Sequence, residues 1–281
     1  MADEVSQEQS AQISQENPNT NVEIVGSIGL ASKLLKEKST LKPYNCWMGI
    51  STSKKTYPDE MVVEYAKWAT EHSDHFMLVV ADGMQIYNQI AQKRINISHV
   101  TEEQAKWIQE EAKEYYKEAK KRKLDLETKF KKAGIQNFHI HLWSHVFELL
   151  ERDEMDKWIV QSFREMAYYP GIDLEFDEGI RKIVEERAGH LLSRIGKSKL
   201  SEFILGLYAR EEWALVMALG TLGIYKYSIK IGPEGERGYD ELVMDVFLKG
   251  FGSLKTDPYE NNANWFGAVY LKHNPNVTSN K

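Results

Sequence analysis

Ser51 closes the run Tyr44-Asn45-Cys46-Trp47-Met48-Gly49-Ile50-Ser51-Thr52-Ser53, which reads as an apolar strand opening onto a polar turn. Side chains alternate along a strand, so Gly49 and Ser51 share a face, and the missing side chain at Gly49 leaves room beside the hydroxyl for an acyl group. Ser51 is thereby a candidate nucleophile, although a lone Gly-x-Ser is more often a serine that bonds a turn amide. Far downstream, Tyr208 and Glu212 stand at i and i+4 on one face of a predicted helix. That helix continues into the apolar residues 213–220, which bury its Glu212 end. A half-buried carboxylate beside tyrosines exchanges protons near neutrality, whereas a surface pair at the same spacing does not.

The elements that must position these groups follow from periodicity. After Pro58, residues 59–70 place Met61, Val62, Tyr65, Ala66 and Ala69 on one helical face, and residues 75–81 form an almost wholly apolar strand. Strand, helix, strand at this spacing is a βαβ unit, whose right-handed crossover makes the strands parallel and brings Ser51 and Asp82 to one carboxyl edge. Ligands bind at such an edge. Asp82 can accept a hydrogen bond from a substrate there, or cap the helix predicted over residues 83–92. Residues 136–143 read as a third strand, and residues 153–169 and 173–195 as two amphipathic helices separated by Tyr169-Pro170-Gly171. Residues 224–231 alternate Tyr225, Tyr227, Ile229 and Ile231 with Lys226, Ser228 and Lys230, the pattern of an edge strand with one wetted side and two inward tyrosines. A last helix over 239–249 and a late strand over 265–272 follow, while residues 24–36 fit either a strand or a helix.

The expected fold class is α/β: a Rossmann-like, mostly parallel sheet with helices on both faces. Residues 1–22 hold Gln, Ser, Asn and Glu with almost nothing to bury, so a disordered tail is expected there. One catalytic domain over 23–273 and a short tail over 274–281 complete the organisation, and a monomer is expected. A single cysteine, Cys46, an acidic start and no apolar run near twenty residues predict a reduced, cytoplasmic protein without a membrane span. A net charge of -6 excludes a globally basic nucleic-acid binder but leaves room for a local patch.

Such a patch is present. Residues 101–132 are continuously helix-favouring, open with Thr101-Glu102-Glu103-Gln104 as a capping box, and direct Ala105, Ile108, Ala112 and Tyr116 toward the body. Lys117, Lys120, Lys121, Arg122 and Lys123 then concentrate positive charge that suits a phosphate backbone, although Glu118, Asp125 and Glu127 interleave as they would on a solvated face. His139, His141 and His145 raise a competing zinc hypothesis, but no Cys, Asp or Glu stands at the usual short spacing, so no metal is expected.

Gly49-Ile50-Ser51 after an apolar strand, Tyr208 with Glu212, and the tyrosine-bearing segment at Tyr225 and Tyr227, in that order, resemble the tRNA-dependent cyclodipeptide synthases over about residues 40 to 250. The resemblance implies a fold similar to the catalytic domain of class I aminoacyl-tRNA synthetases and an enzyme that condenses two aminoacyl-tRNAs into a cyclic dipeptide, a 2,5-diketopiperazine, with no cofactor. Ser51 would take the first aminoacyl group, Tyr208 and Glu212 would hold and deprotonate its amine, and Tyr227, with Tyr225 as second choice, would relay a proton during cyclisation. Trp47, Gly49, Val79, Ala81 and Tyr225 would line the substrate site, and the basic helix would hold tRNA. The chain departs from the family pattern at Lys54, where asparagine is usual, at Trp213 and Ala214 after the helical glutamate, where proline is usual, and at Ser228 after Tyr227 and Lys226 after Tyr225. Three rivals remain: a synthetase domain, which needs a His-x-Gly-His stretch that the chain lacks; a non-catalytic tRNA-binding protein; and a serine hydrolase, for which Ser53 stands where the second glycine of Gly-x-Ser-x-Gly belongs.

Overall fold

The computed structural model describes residues 21–96, 99–150, 182, 185, 193, 227–238, 240–242 and 267–275. Its elements are β1 (Val22–Ile28), α1 (Gly29–Lys38), β2 (Cys46–Ile50), α2 (Asp59–His72), β3 (Phe76–Val80), α3 (Ile86–Lys93), α4 (Glu102–Lys132), β4 (Phe138–Leu142), α5 (Trp143–Leu150), β5 (Ile229–Pro233) and β6 (Gly267–His273). Among the described residues, the strands form one six-stranded sheet in the order β1-β6-β5-β2-β3-β4. Of these, β1, at one end, runs antiparallel to its neighbour, and the other described pairings are parallel.

Local chemistry explains where the helices begin. Asp59 and Glu60 place negative charge in the first turn of α2, where the helix dipole favours it. Thr101 Oγ1 accepts from the Gln104 amide at 3.2 Å while Gln104 Oε1 accepts from the Thr101 amide at 3.0 Å, so the expected capping box opens α4.

Alternation along the strands sorts the sheet into two faces. One carries Met48, Ile50, Leu78, Val80, Ile140, Leu142, Ile231, Val269 and Leu271 against Leu34 and Leu35 of α1, Val62, Tyr65 and Trp68 of α2, and Leu126 and Phe130 of α4. This continuous apolar layer is the principal core. The opposite face carries Trp47, Gly49, Met77, Val79, His139, His141, Lys230, Gly232 and Tyr270, a far more polar set. Gly267 begins β6 where a Cβ would come within 2.3 Å of the Ala31 backbone nitrogen, a close approach of chain to chain that only glycine permits.

The βαβ unit, the third strand and the late strand lie where the sequence places them, and residues 24–36 divide into a strand and a helix. Three expectations need correction. β1 already begins at Val22, inside the stretch read as a tail, because Val22 and Ile24 are buried against the core. Tyr116 meets His145 but remains 38% exposed, and Ala119, Arg122, Leu126 and Phe130 are the buried face of α4. The segment read as an edge strand over 224–231 is β5, which starts at Ile229 and lies between β6 and β2. Ser228, just before it, and Lys230, within it, are buried rather than wetted. Residues 240–242 are helical, within the helix expected over 239–249. The helices expected over 153–169 and 173–195 fall almost wholly outside the described residues, and Tyr208, Glu212 and Tyr225 lie outside them.

Candidate active site

Ser51 stands on the carboxyl edge of the sheet. The Ala81 amide donates to Ile50 O at 2.8 Å, which carries the β2–β3 ladder to the edge and sets Ser51 beside Ala81 and Asp82. Trp47 is level with Met77 and Gly49 with Val79, and a Cβ at Gly49 would touch the Trp47 ring at 3.4 Å. Trp47, Gly49, Val79 and Ala81 therefore share one face leading to Ser51, as the strand pattern implies. The Ser51 hydroxyl accepts from the Ser53 amide at 3.3 Å, so the turn-serine reading is realised. Accepting that bond still leaves the hydroxyl its own proton to give to a base. Cys46 is no rival: it points to the apolar face, and burial pushes its thiol up to about 12 against a smaller opposing effect of Ser73.

The turn after Ser51 is held from two sides. Tyr57 donates its hydroxyl to Glu236 Oε1 at 2.6 Å, and Glu236 Oε2 lies 2.8 Å from the ammonium of Lys230, which in turn reaches Asp240 Oδ1 at 2.6 Å. Burial works against the Lys230 charge, but Asp240 and Glu236 outweigh it and raise its pKa well above that of a free lysine. Glu236 also fills the space at Gly232, where a Cβ would meet its Oε2 at 2.7 Å. From the other side Arg122 donates to the Tyr57 carbonyl at 2.6 Å and pairs with Asp59. Burial pushes the Asp59 carboxyl up, yet Lys129, Arg122 and Lys54 outweigh it and hold it below the usual range. None of Tyr57, Lys230, Glu236 and Asp240 was singled out from the sequence. A lysine inside an apolar strand, with carboxylates six and ten residues on, was the available signal, since such a cation must be paired.

The basic helix is thereby divided. Lys117, Lys120 and Lys121 are exposed, Lys117 with an exposed pairing to Glu114 at 3.4 Å, whereas Arg122 is 3% exposed and committed to Asp59 and Tyr57, and the half-buried Lys123 pairs with Glu127 at 3.6 Å. Arg122 is thus a buried cation that holds Asp59 and the Tyr57 carbonyl. The Asp82 side chain does not cap the helical turn that follows, to which only the backbone carbonyl contributes by accepting from the Gln85 amide at 3.1 Å. The side chain is buried and accepts from the Ser144 amide at 3.2 Å and the Ser144 hydroxyl at 2.5 Å, securing the first turn of α5.

Tyr227 is brought to the wrong place for the role the resemblance implies. Register sets Ile229 level with Cys46, so Tyr227 is level with residue 44, seven residues behind Ser51 on parallel strands. At about 3.3 Å per residue the two are separated by roughly 20 Å along the sheet. Its hydroxyl lies 2.8 Å from His75 Nδ1, at the amino edge. The His75 and His139 rings lie 4.5 Å apart and those of His139 and His141 5.7 Å apart, while His145 meets the Tyr116 ring edge-on. Burial foremost, then the neighbouring His139 imidazole and, for His141, also the Lys123 ammonium, lowers His75 and His141 to about 4, which keeps both neutral near pH 7. Among the described residues, no group of three potential ligands is placed to hold a metal ion, and no helix is long and apolar enough to cross a membrane.

No protein-family model and no curated protein matches the chain. Solved structures do. A cyclodipeptide synthase from Fluoribacter dumoffii superposes with a TM-score of 0.55 at 16% identity over 82% of this chain and 90% of that one. One from Bacillus thermoamylovorans gives 0.56 at 15% identity over 88% and 95%. A Mycobacterium tuberculosis protein, described as demonstrating that cyclodipeptide synthetases are related to type I tRNA synthetases, gives 0.59 at 11% identity over 92% and 96%. The chain has the cyclodipeptide-synthase fold. Within that fold Ser51 occupies the carboxyl end of an inner strand, and both Gly49 and the Tyr57–Glu236 contact lie toward the same edge.

Proposed function

We propose that the protein condenses two aminoacyl-tRNAs into a cyclic dipeptide through an aminoacyl ester on Ser51. The observation that carries this reading is a serine hydroxyl at the carboxyl edge of an inner parallel strand, beside a glycine and a row of small or flat side chains, in a chain whose fold is shared by cyclodipeptide synthases. An aminoacyl ester is already activated, so the site needs a nucleophile, a proton acceptor and a pocket, and neither ATP nor a metal.

In the first step Ser51 Oγ attacks the ester carbonyl, the tRNA 3′-terminal oxygen leaves, and the serine proton ends on that oxygen. The amine of the bound aminoacyl group then attacks the second aminoacyl ester and releases the second tRNA. Finally the new terminal amine attacks the Ser51 ester carbonyl, which closes the ring and returns the proton to Ser51 Oγ. Tyr208 and Glu212 are assigned to hold and deprotonate the amine, and Lys117, Lys120 and Lys121 to meet the tRNA backbone. Tyr227 takes no part. Incubation of purified protein with charged tRNAs, read by mass spectrometry, tests the reading: a cyclic dipeptide is expected, whereas free amino acid alone indicates a hydrolase and unchanged aminoacyl-tRNA a binding protein.

A further inference from the structure

Between β2 and α2 the chain crosses from Ser51 to Tyr57 without helix or strand. Hydrogen bonds order it from within: Ser53 N donates to Ser51 Oγ at 3.3 Å, Thr56 N and Oγ1 donate to Ser53 Oγ at 3.4 and 3.3 Å, and Tyr57 N donates to Ser53 O at 3.1 Å. None of these ties it to the body; the outer contacts do that, and the shortest of them meet at Tyr57. Arg122 of α4 donates to the Tyr57 carbonyl at 2.6 Å, while Glu236, just past β5, accepts the Tyr57 hydroxyl at 2.6 Å. Lys54, inside the segment, adds weaker links to Asp59 at 3.5 Å and to Asp125 of α4 at 4.0 Å. We propose that Arg122 and Glu236 clamp Tyr57 from two sides and so act as positioning residues for the Ser51 hydroxyl; this rests on reading Ser51 as the nucleophile.

The chemistry of each partner fits that task. A guanidinium is a rigid fork that can serve the Asp59 carboxylate and the Tyr57 carbonyl at fixed separation, which the point charge of a lysine cannot do. Arg122 and Asp59 are 3% and 5% exposed, so their pair is shielded from solvent. Glu236 is itself fixed by the Lys230 ammonium at 2.8 Å. A buried ion pair is weak evidence of stabilisation by itself. What singles this one out is its place: it holds the segment that carries the nucleophile, on the helix whose exposed lysines face solvent. A displacement of about 1 Å at a reacting group can cost on the order of 10²-fold in rate.

The test uses Arg122→Lys and Tyr57→Phe in the full chain with charged tRNA. Arg122→Lys keeps a cation beside Asp59 but gives up the Tyr57 carbonyl, and Tyr57→Phe gives up Glu236. Each is expected to fold, to bind tRNA with unchanged affinity and salt slope, and to acylate Ser51 at saturating tRNA on the order of 10- to 10²-fold more slowly, with faster hydrogen exchange at the Ser53 and Tyr57 amides. Wild-type acylation rates in both folded variants overturn the clamp. So does a weaker, less salt-dependent tRNA complex in Arg122→Lys, which makes Arg122 a phosphate contact. Should Arg122→Lys not fold, Tyr57→Phe decides alone by the same rate. An absence of any Ser51 adduct in the wild-type protein overturns the nucleophile reading, and the clamp with it; an adduct at unaltered rates overturns the clamp only.

Discussion

The Lys230 ammonium lies 2.6 Å from Asp240 Oδ1, with both side chains buried and Glu236 Oε2 2.8 Å away on the other side. A cation within an inner strand is stable there only because two carboxylates replace its water. Lys230→Met should therefore destabilise the fold by about 3–5 kcal/mol, because it leaves buried carboxylates without their cation. Combining it with Asp240→Asn should recover part of that loss. Urea unfolding of the single and double variants measures both; a single variant as stable as wild type contradicts the pairing.

This contact also marks a limit of what the sequence discloses. Alternation over 224–231 is the same whether polar residues face water or an internal ion cluster, because the carboxylates that decide it come after the strand. The direction of that strand was equally hidden. Only its parallel register with β2 shows that Tyr227 lies at the amino edge, far from Ser51. By contrast, the βαβ unit, the capping box and the shared face of Gly49 and Ser51 follow from local periodicity, so they are legible. The burial of Arg122 is hidden for a third reason: a run of basic residues on a long helix covers every face of it, and one of those faces is buried.

The division of α4 has its own consequence. Replacing Lys117, Lys120 and Lys121 by glutamine should weaken tRNA binding and reduce the slope of log K against log salt by up to about 2 to 3, since each phosphate contact contributes roughly 0.7–0.9. Binding titrations at several salt concentrations check this, and an unchanged slope would mean that these lysines are only a solvated face.

His75 and His141 give a pH dependence of defined sign. Each is lowered to about 4 in the folded protein against 6.5 for the free side chain, so between those values the unfolded chain binds more protons. Their contribution is full above pH 6.5 and is lost as pH falls toward 4. Urea midpoints should decline over that window, and less steeply in a His75→Gln, His141→Gln double variant. Equal slopes would show that these imidazoles are not kept neutral.

Glu212→Gln retains the shape of the side chain but cannot take a proton. If Glu212 deprotonates the bound amine, acylation of Ser51 should persist while transfer and cyclisation slow by roughly 10²- to 10⁴-fold, so that acyl-enzyme accumulates relative to product. Quenched-flow measurement of both species checks this. Loss of acylation in a folded variant would place Glu212 in the first half-reaction instead.

The central claim is that Ser51 carries the first amino acid, and peptide mapping of the protein quenched during turnover tests it most directly. A mass increase of one aminoacyl residue is predicted on the peptide containing Ser51, with no adduct and no cyclic dipeptide from Ser51→Ala although its tRNA affinity is unchanged. An adduct on Cys46, or full turnover by Ser51→Ala, would contradict the account.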